Sequence, residues 1–90
     1  MLFRSNTGKA FYVITNPVAT SIDLYAGAAL KGLYNYSIVN TAGQLMQSGT
    51  LDIKNAGTYS IYLNPTIIAG AYILVVQNET NKLQKMVIKK

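Results

Sequence analysis

Apolar and polar residues alternate with a period of two along most of this chain. That is the pattern of half-buried strands rather than of helices. From Ser21 to Tyr25, Ile22 and Leu24 share one face and Asp23 takes the other. Leu33 to Asn40 sets Tyr34, Tyr36 and Ile38 against Asn35, Ser37 and Val39, and Leu45 to Leu51 returns as its partner strand. Thr58 to Leu63 groups Tyr59, Ile61 and Leu63, and Leu83 to Lys89 predicts Met86 and Ile88 inward with Lys85 and Lys89 outward. Two stretches are apolar on both faces: Phe11-Tyr12-Val13-Ile14, and Gly70 to Gln77, where Tyr72, Leu74 and Val76 oppose Ile73 and Val75. A small two-layer fold covers one face of each sheet. Ile73 and Val75 are therefore expected to meet a neighbouring chain or domain, with self-association as one outcome.

Turn residues punctuate these runs. Asn16-Pro17 ends the first, because proline lacks a ladder donor and holds the preceding residue extended. The small residues of Ala26 to Gly32 read as a loop, and Thr41-Ala42-Gly43-Gln44 as a tight turn in which Gly43 is free to take positive φ. Asn55-Ala56-Gly57, Asn64-Pro65 and Asn78 to Asn81 close the later segments, with Ile67 and Ile68 expected to dip into the core from a connection. Residues 1–9 read as a linker or lead-in and 10–90 as the domain. About seven strands at roughly 8–12-residue spacing, with no helical periodicity, predict an all-β, immunoglobulin-like antiparallel β-sandwich. Its predicted core is Ile22, Leu24, Tyr36, Ile38, Ile61, Leu63, Tyr72, Leu74, Val76, Met86 and Ile88.

Composition narrows function more than it narrows the fold. The 90 residues include no Cys and no His, and the carboxylates are Asp23, Asp52 and Glu79, far apart in sequence. Catalysis by a paired acid and base, or by an activated nucleophile, has little to work with, so the chain is not expected to be an enzyme. No metal site and no cofactor are expected either. The longest apolar run, Ala71 to Val76, is strand-sized and far short of the ~20 residues of a membrane-spanning helix. Met1 to Asn6 has no charged leader followed by an apolar stretch, which is not a signal peptide; the chain is expected to be cytosolic or part of a longer exported protein. The net charge is +5, and Lys82, Lys85, Lys89 and Lys90 concentrate it at one end. Such an end attracts acidic partners, or it protects an edge strand from further pairing.

Several segments, in order, carry a resemblance. Val13-Ile14-Thr15-Asn16-Pro17 is followed by Ser21-Ile22-Asp23-Leu24, then by Tyr36 to Met46 with its Gly43-Gln44 turn and by Ser48-Gly49-Thr50-Leu51. Gly70-Ala71-Tyr72-Ile73-Leu74-Val75-Val76 and Lys85-Met86-Val87-Ile88-Lys89-Lys90 complete the series. Across positions 12 to 90 the chain resembles the C-terminal sorting domain (type A) of cargo proteins of the type IX, or Por, secretion system of the Bacteroidetes. Thr15 stands where that family's turn usually has its first proline. The resemblance implies a non-catalytic address label. It would direct an N-terminal passenger through the periplasm and across the outer membrane to the cell surface or medium, with translocon, shuttle and sortase components as partners. It implies recognition through Gly70, Tyr72, Lys85, Lys89 and Lys90, with Asn16, Pro17 and Gly43 as structural turn residues. Removal by a sortase is expected in or before the polar segment from Arg4 to Ala10.

The seven tyrosines keep a rival open. Stacking of nucleic-acid bases needs aromatics on an exposed strand face, but Tyr36, Tyr59 and Tyr72 fall on inward positions, so no nucleic-acid partner is expected. A glycan-binding or adhesion module using Tyr12, Tyr25, Tyr34 or Tyr62 is the alternative function.

Overall fold

A computed structural model describes residues 11–14 and 16–90. The lead-in read at 1–9 lies outside the described residues. Seven strands are formed: β1 (Phe11–Val13), β2 (Ser21–Ala26), β3 (Gly32–Asn40), β4 (Leu45–Ile53), β5 (Gly57–Tyr62), β6 (Gly70–Gln77) and β7 (Lys82–Lys89). They make two antiparallel sheets, one in the order β1-β2-β5 and one in the order β4-β3-β6-β7. This is the predicted all-β sandwich, with a 3-10 turn at Ala28–Leu30 inside the predicted loop.

Side chains from both sheets fill the space between them. Ile22, Leu24 and Ile61 come from the three-stranded sheet, and Tyr34, Ile38, Leu51, Ile53, Tyr72, Leu74, Val76 and Val87 from the four-stranded one. Val18, Leu30 and Ile67 enter from connections. Of the connection Ile67-Ile68, the first is buried and the second exposed. Tyr36 and Leu63 pack against the core without being fully enclosed.

The last strand departs from its predicted parity. Tyr72 pairs with Val87 and Leu74 with Lys85, so Val87 is buried while Met86 and Ile88 face outward, 54% and 40% exposed. Lys85 and Lys89 therefore stand on the inner side of the strand, the reverse of the expectation. Period-two reading cannot choose a face for a strand with an apolar residue on each; the register with β6 chooses it. Val87 closes the core under Tyr72, and Lys85 sits where β7 forms the sheet edge, a position at which inward-pointing charge discourages further strand addition.

A second irregularity lies opposite. β3 and β4 shift register between Ile38 and Val39, so that Ile38 faces Gln47 and Val39 faces Leu45. Met46 is the extra residue of this bulge and packs against the core, which leaves Leu45 outside at 60% exposure. Gln47 points inward and is fully used: its Nε2 donates to the Tyr36 hydroxyl at 3.1 Å and to the Tyr62 carbonyl at 2.8 Å, and its Oε1 accepts from the Asn64 amide at 2.7 Å. It ties the two sheets together by polar contacts.

Paired truncations test the corrected parity of β7. Leu74→Ala should cost about 2–5 kcal/mol, and Met86→Ala about 0.5 kcal/mol or less, read by urea denaturation. Equal costs for the two would restore Met86 to the core.

Candidate functional site

Of the residues singled out by the resemblance, Asn16, Gly70, Lys89 and Lys90 meet at one corner, with Tyr72 close by, while Gly43 and Lys85 lie apart from it. Gly70 pairs with Lys89 across β6 and β7, and Val18 forms a parallel bridge with Lys89 from the other side. Tyr72 lies two residues along, opposite Val87. The Thr41–Gln44 turn lies at the same end of the sheet, because Asn40 pairs with Tyr72. Lys85 is further along β7, opposite Leu74.

β7 is an edge strand, and residues 16–18 cover the end of its free side. The Asn16 side chain imitates a strand backbone: its Oδ1 accepts from the Ile88 amide at 2.9 Å, and its Nδ2 donates to the Met86 carbonyl at 3.4 Å. The main chain of Val18 continues the ladder, with Val18 N donating to the Ile88 carbonyl at 2.7 Å and Lys90 N donating to the Val18 carbonyl at 3.0 Å. The Val18 side chain anchors this strap in the core at 1% exposure. The Asn-Pro turn is thus structural, as expected, and its partner is the C-terminal strand. Asparagine serves here because its amide offers one acceptor and one donor in the spacing of a peptide group.

Gly70 and Tyr72 belong to a device that occurs three times. Gly32-Leu33-Tyr34, Gly57-Thr58-Tyr59 and Gly70-Ala71-Tyr72 each open a strand. Their glycines hold φ at 139°, 153° and 154°, a region where a side chain is strained. In two of them the tyrosine hydroxyl folds back past the glycine to a carbonyl four residues upstream: Tyr72 donates to Ile68 O at 2.7 Å and Tyr59 to Asn55 O at 2.6 Å. The geometry is related to the tyrosine corner of immunoglobulin-like folds. Tyr72 is only 5% exposed, so a partner of the folded domain meets the strand it builds and not its ring. Only the last of these three copies stands out in the sequence reading. The repeated Gly-x-Tyr spacing was the signal that would have found the others.

Lys85 and Lys90 are exposed and Lys89 half-buried, with the Lys89 ammonium donating to the Lys90 carbonyl at 3.3 Å. Gly43, at φ 85°, sits in a turn organised by Asn40, whose Oδ1 accepts from the Ala42 and Gln44 amides. It makes no contact with the lysine corner.

The tyrosines proposed for glycan contact are scattered. Tyr34 is fully buried, which removes it from that set, and its hydroxyl accepts from Asn81 Nδ2 at 3.1 Å. Tyr12 and Tyr25 stack on the outer face of the three-stranded sheet with centroids 5.2 Å apart, an ordinary cross-strand pair. Tyr62 is exposed at the far end of that sheet. At the opposite end of the molecule from the lysine corner, Leu33, Asn35, Gln77, Asn78, Glu79 and Thr80 line a shallow open depression. Among the described residues no three His, Cys, Asp or Glu side chains gather into a metal-binding group.

A family model described as a secretion system C-terminal sorting domain matches residues 13–90. No curated protein and no solved structure matches the chain.

Removing the Asn16 amide tests the strap. Asn16→Ala deletes two hydrogen bonds worth about 0.5–1.5 kcal/mol each. Amide exchange at Ile88 should accelerate about tenfold or more, while exchange at Leu74, deep in the same sheet, keeps pace with global unfolding only. Unchanged protection at Ile88 would show the strap to be dispensable.

Proposed function

The chain belongs to the secretion system C-terminal sorting domain family, and from that premise we propose how its parts divide the work of export. The domain is a C-terminal secretion signal for type IX secretion. It acts with the secretion machinery on an N-terminal passenger, and the destination is the cell surface or the extracellular space. Domains of this kind are not normally catalytic.

The finer reading is ours. The domain passes through the periplasm and meets translocon, shuttle and sortase components there and at the outer membrane. Lys85, Lys89 and Lys90 make the recognition contacts, Lys89 and Lys90 as cations that steer an acidic partner to the corner and Lys85 from further along the same strand. Gly70 and Tyr72 act one step back, by building the strand start that pairs with Lys89. Asn16, Pro17 and Gly43 shape turns, and Asn16 additionally holds the recognised strand by its edge. The observation that carries this reading is the convergence of the family's separate sequence pieces, from both ends of the matched region, on one corner.

Sortase cleavage falls at or before Ala10 in this reading. Phe11 already pairs with Ala26 in the sheet, and a protease needs an extended, unpaired segment. Outward Ile73 and Val75 are available for contact with a second protein, a second copy of this chain among the candidates.

A reporter protein fused ahead of the full chain in a type IX-competent host tests the lysines. Lys89→Gln with Lys90→Gln removes two charges and only one long hydrogen bond, so stability should change by under about 0.5 kcal/mol. Exported reporter should fall while Tm holds. Full export at unchanged Tm would make these lysines solubilising charges only. Mass spectrometry of the released reporter should place its C-terminus at or before Ala10; a C-terminus beyond Phe11 would refute the cleavage assignment.

A further inference from the structure

β1 carries more apolar side chains than its sheet uses. Val13 packs against the core, but Tyr12 and Ile14 are turned outward, 52% and 47% exposed. A strand that serves one sheet needs apolar residues on one face only. A second position lies close by, because β1 runs next to β7. Val18 bridges Lys89 in parallel, and Asn16 stands where the preceding rung of that ladder belongs, between Met86 and Ile88. Its side chain makes the two hydrogen bonds that its own main chain would make there, accepting from the Ile88 amide and donating to the Met86 carbonyl. Beyond Asn16 the ladder stops. Successive residues of a strand turn their amides and carbonyls to opposite sides. Gln84 therefore turns both groups, and Met86 its amide, to the free side, and no hydrogen bond reaches them from the described residues. Ile14 N donates instead to the Asp23 carbonyl of β2, at 2.8 Å.

We infer that β1 is a switch strand with two docking positions: the edge of β2, where it lies in this structure, and the vacant stretch of the β7 edge. The strap fixes the register of the second. Val18 opposite Lys89 sets Ile14 opposite Lys85 and Tyr12 opposite Leu83. In that ladder Ile14 accepts from the Met86 amide and donates to the Gln84 carbonyl, so main-chain bonds given up at β2 are made again at β7. Directly opposed residues share a face. Lys85 and Leu83 stand on the inner side of β7, Leu83 against the core, so Tyr12 and Ile14 turn inward there and Val13 outward. The two positions bury opposite faces of one strand, which is what its two-faced pattern supplies. Asn16 is the hinge, and β1 crosses the open side of the sandwich, about the 10 Å between packed sheets. Two terms favour the position seen. The Tyr12–Tyr25 stack exists only there, and in the other position Lys85 must run its stem along Ile14 to keep its ammonium in water. The second position is therefore a minor state, in the range of roughly 0.1–10%. The switch joins the N-terminal strand of the domain to the strand that carries the lysines, whichever protein reads them.

The full chain has no cysteine, so disulfide trapping reads the second position directly. Ile14→Cys with Lys85→Cys puts one thiol on each side of the inferred rung, at exposed positions. Ile14→Cys with Met86→Cys is the control, one residue along β7 but on its outer face. In a glutathione redox buffer the Lys85 pair should close within one chain about tenfold or more faster than the Met86 pair, because a disulfide needs Cβ atoms that face each other. Loose flexing of β1, with no ladder, would close both at similar rates and overturn the inference. In the trapped chain, amide exchange at Gln84 should slow about tenfold or more. Exchange at Tyr25, whose amide faces β1, should accelerate. A trapped chain in which Gln84 stays unprotected would also overturn the switch. So would disulfides that form only between chains, which would give the β7 edge to a second copy. If the reduced Lys85 pair melts early, Tyr12→Cys with Leu83→Cys reads the next rung, against Tyr12→Cys with Gln84→Cys.

Discussion

An edge strand exposes unpaired amides and carbonyls along one side, and β7 is an edge strand. The Asn16 side chain and the Val18 main chain supply what a neighbouring strand would, with four hydrogen bonds to Met86, Ile88 and Lys90. Much else at that corner follows. With its edge covered, β7 can stay in register with β6, so Val87 closes the core under Tyr72 and Lys89 is held opposite Gly70. The segment that leads toward the passenger and the strand at the chain end thereby form one structure. A signal of this kind cannot be reduced to its terminal residues, because those residues take their geometry from a turn some seventy positions earlier.

The chain has no cysteine and so no disulfide, which leaves its small core to rely on burial and on satisfied polar groups. Its polar side chains are used accordingly. Asn40 and Asn78 each accept two backbone amides in hairpin turns, Gln47 satisfies one amide and one carbonyl between the sheets, and Tyr59 and Tyr72 bind carbonyls behind their glycines. Each removes an orphan group that would otherwise cost stability in so small a core. Gly49 shows the same economy in packing: a Cβ placed there would lie 2.8 Å from the Tyr36 ring, so glycine lets that ring lie flat across the neighbouring strand.

How much of this was legible depended on whether the signal was local. Strand positions and turns followed from alternation and from Asn, Gly and Pro, and Ile22, Leu24, Ile38, Ile61, Tyr72, Leu74 and Val76 were rightly placed in the core. The face of β7 was not legible, because Met86 and Ile88 on one side and Val87 on the other offer similar apolar mass, and a long-range register decides between them. Tyr34 illustrates the same limit: alternation set it beside Ile38, yet it was also offered for glycan contact, and its burial with a hydroxyl bonded to Asn81 favours the first. The candidate site was legible as a set of sequence pieces through resemblance. Its assembly was not, since nothing local to Asn16 says that Ile88 is its partner.

These two kinds of error have one origin, and it bears on how such a domain can evolve. Core positions are constrained by both sheets, so a substitution there is felt at once. The outer face of β7 is constrained only by parity: once Val87 is inside, Met86 and Ile88 must be outside, whatever they cost in exposed apolar area. Gln84, on the same face and strand, is polar, so the outer face of β7 is mixed in character. The same holds across the sheet, where the bulge that seats Met46 against the core leaves Leu45 outside, so the apolar residues on the outer face follow from what register places inside.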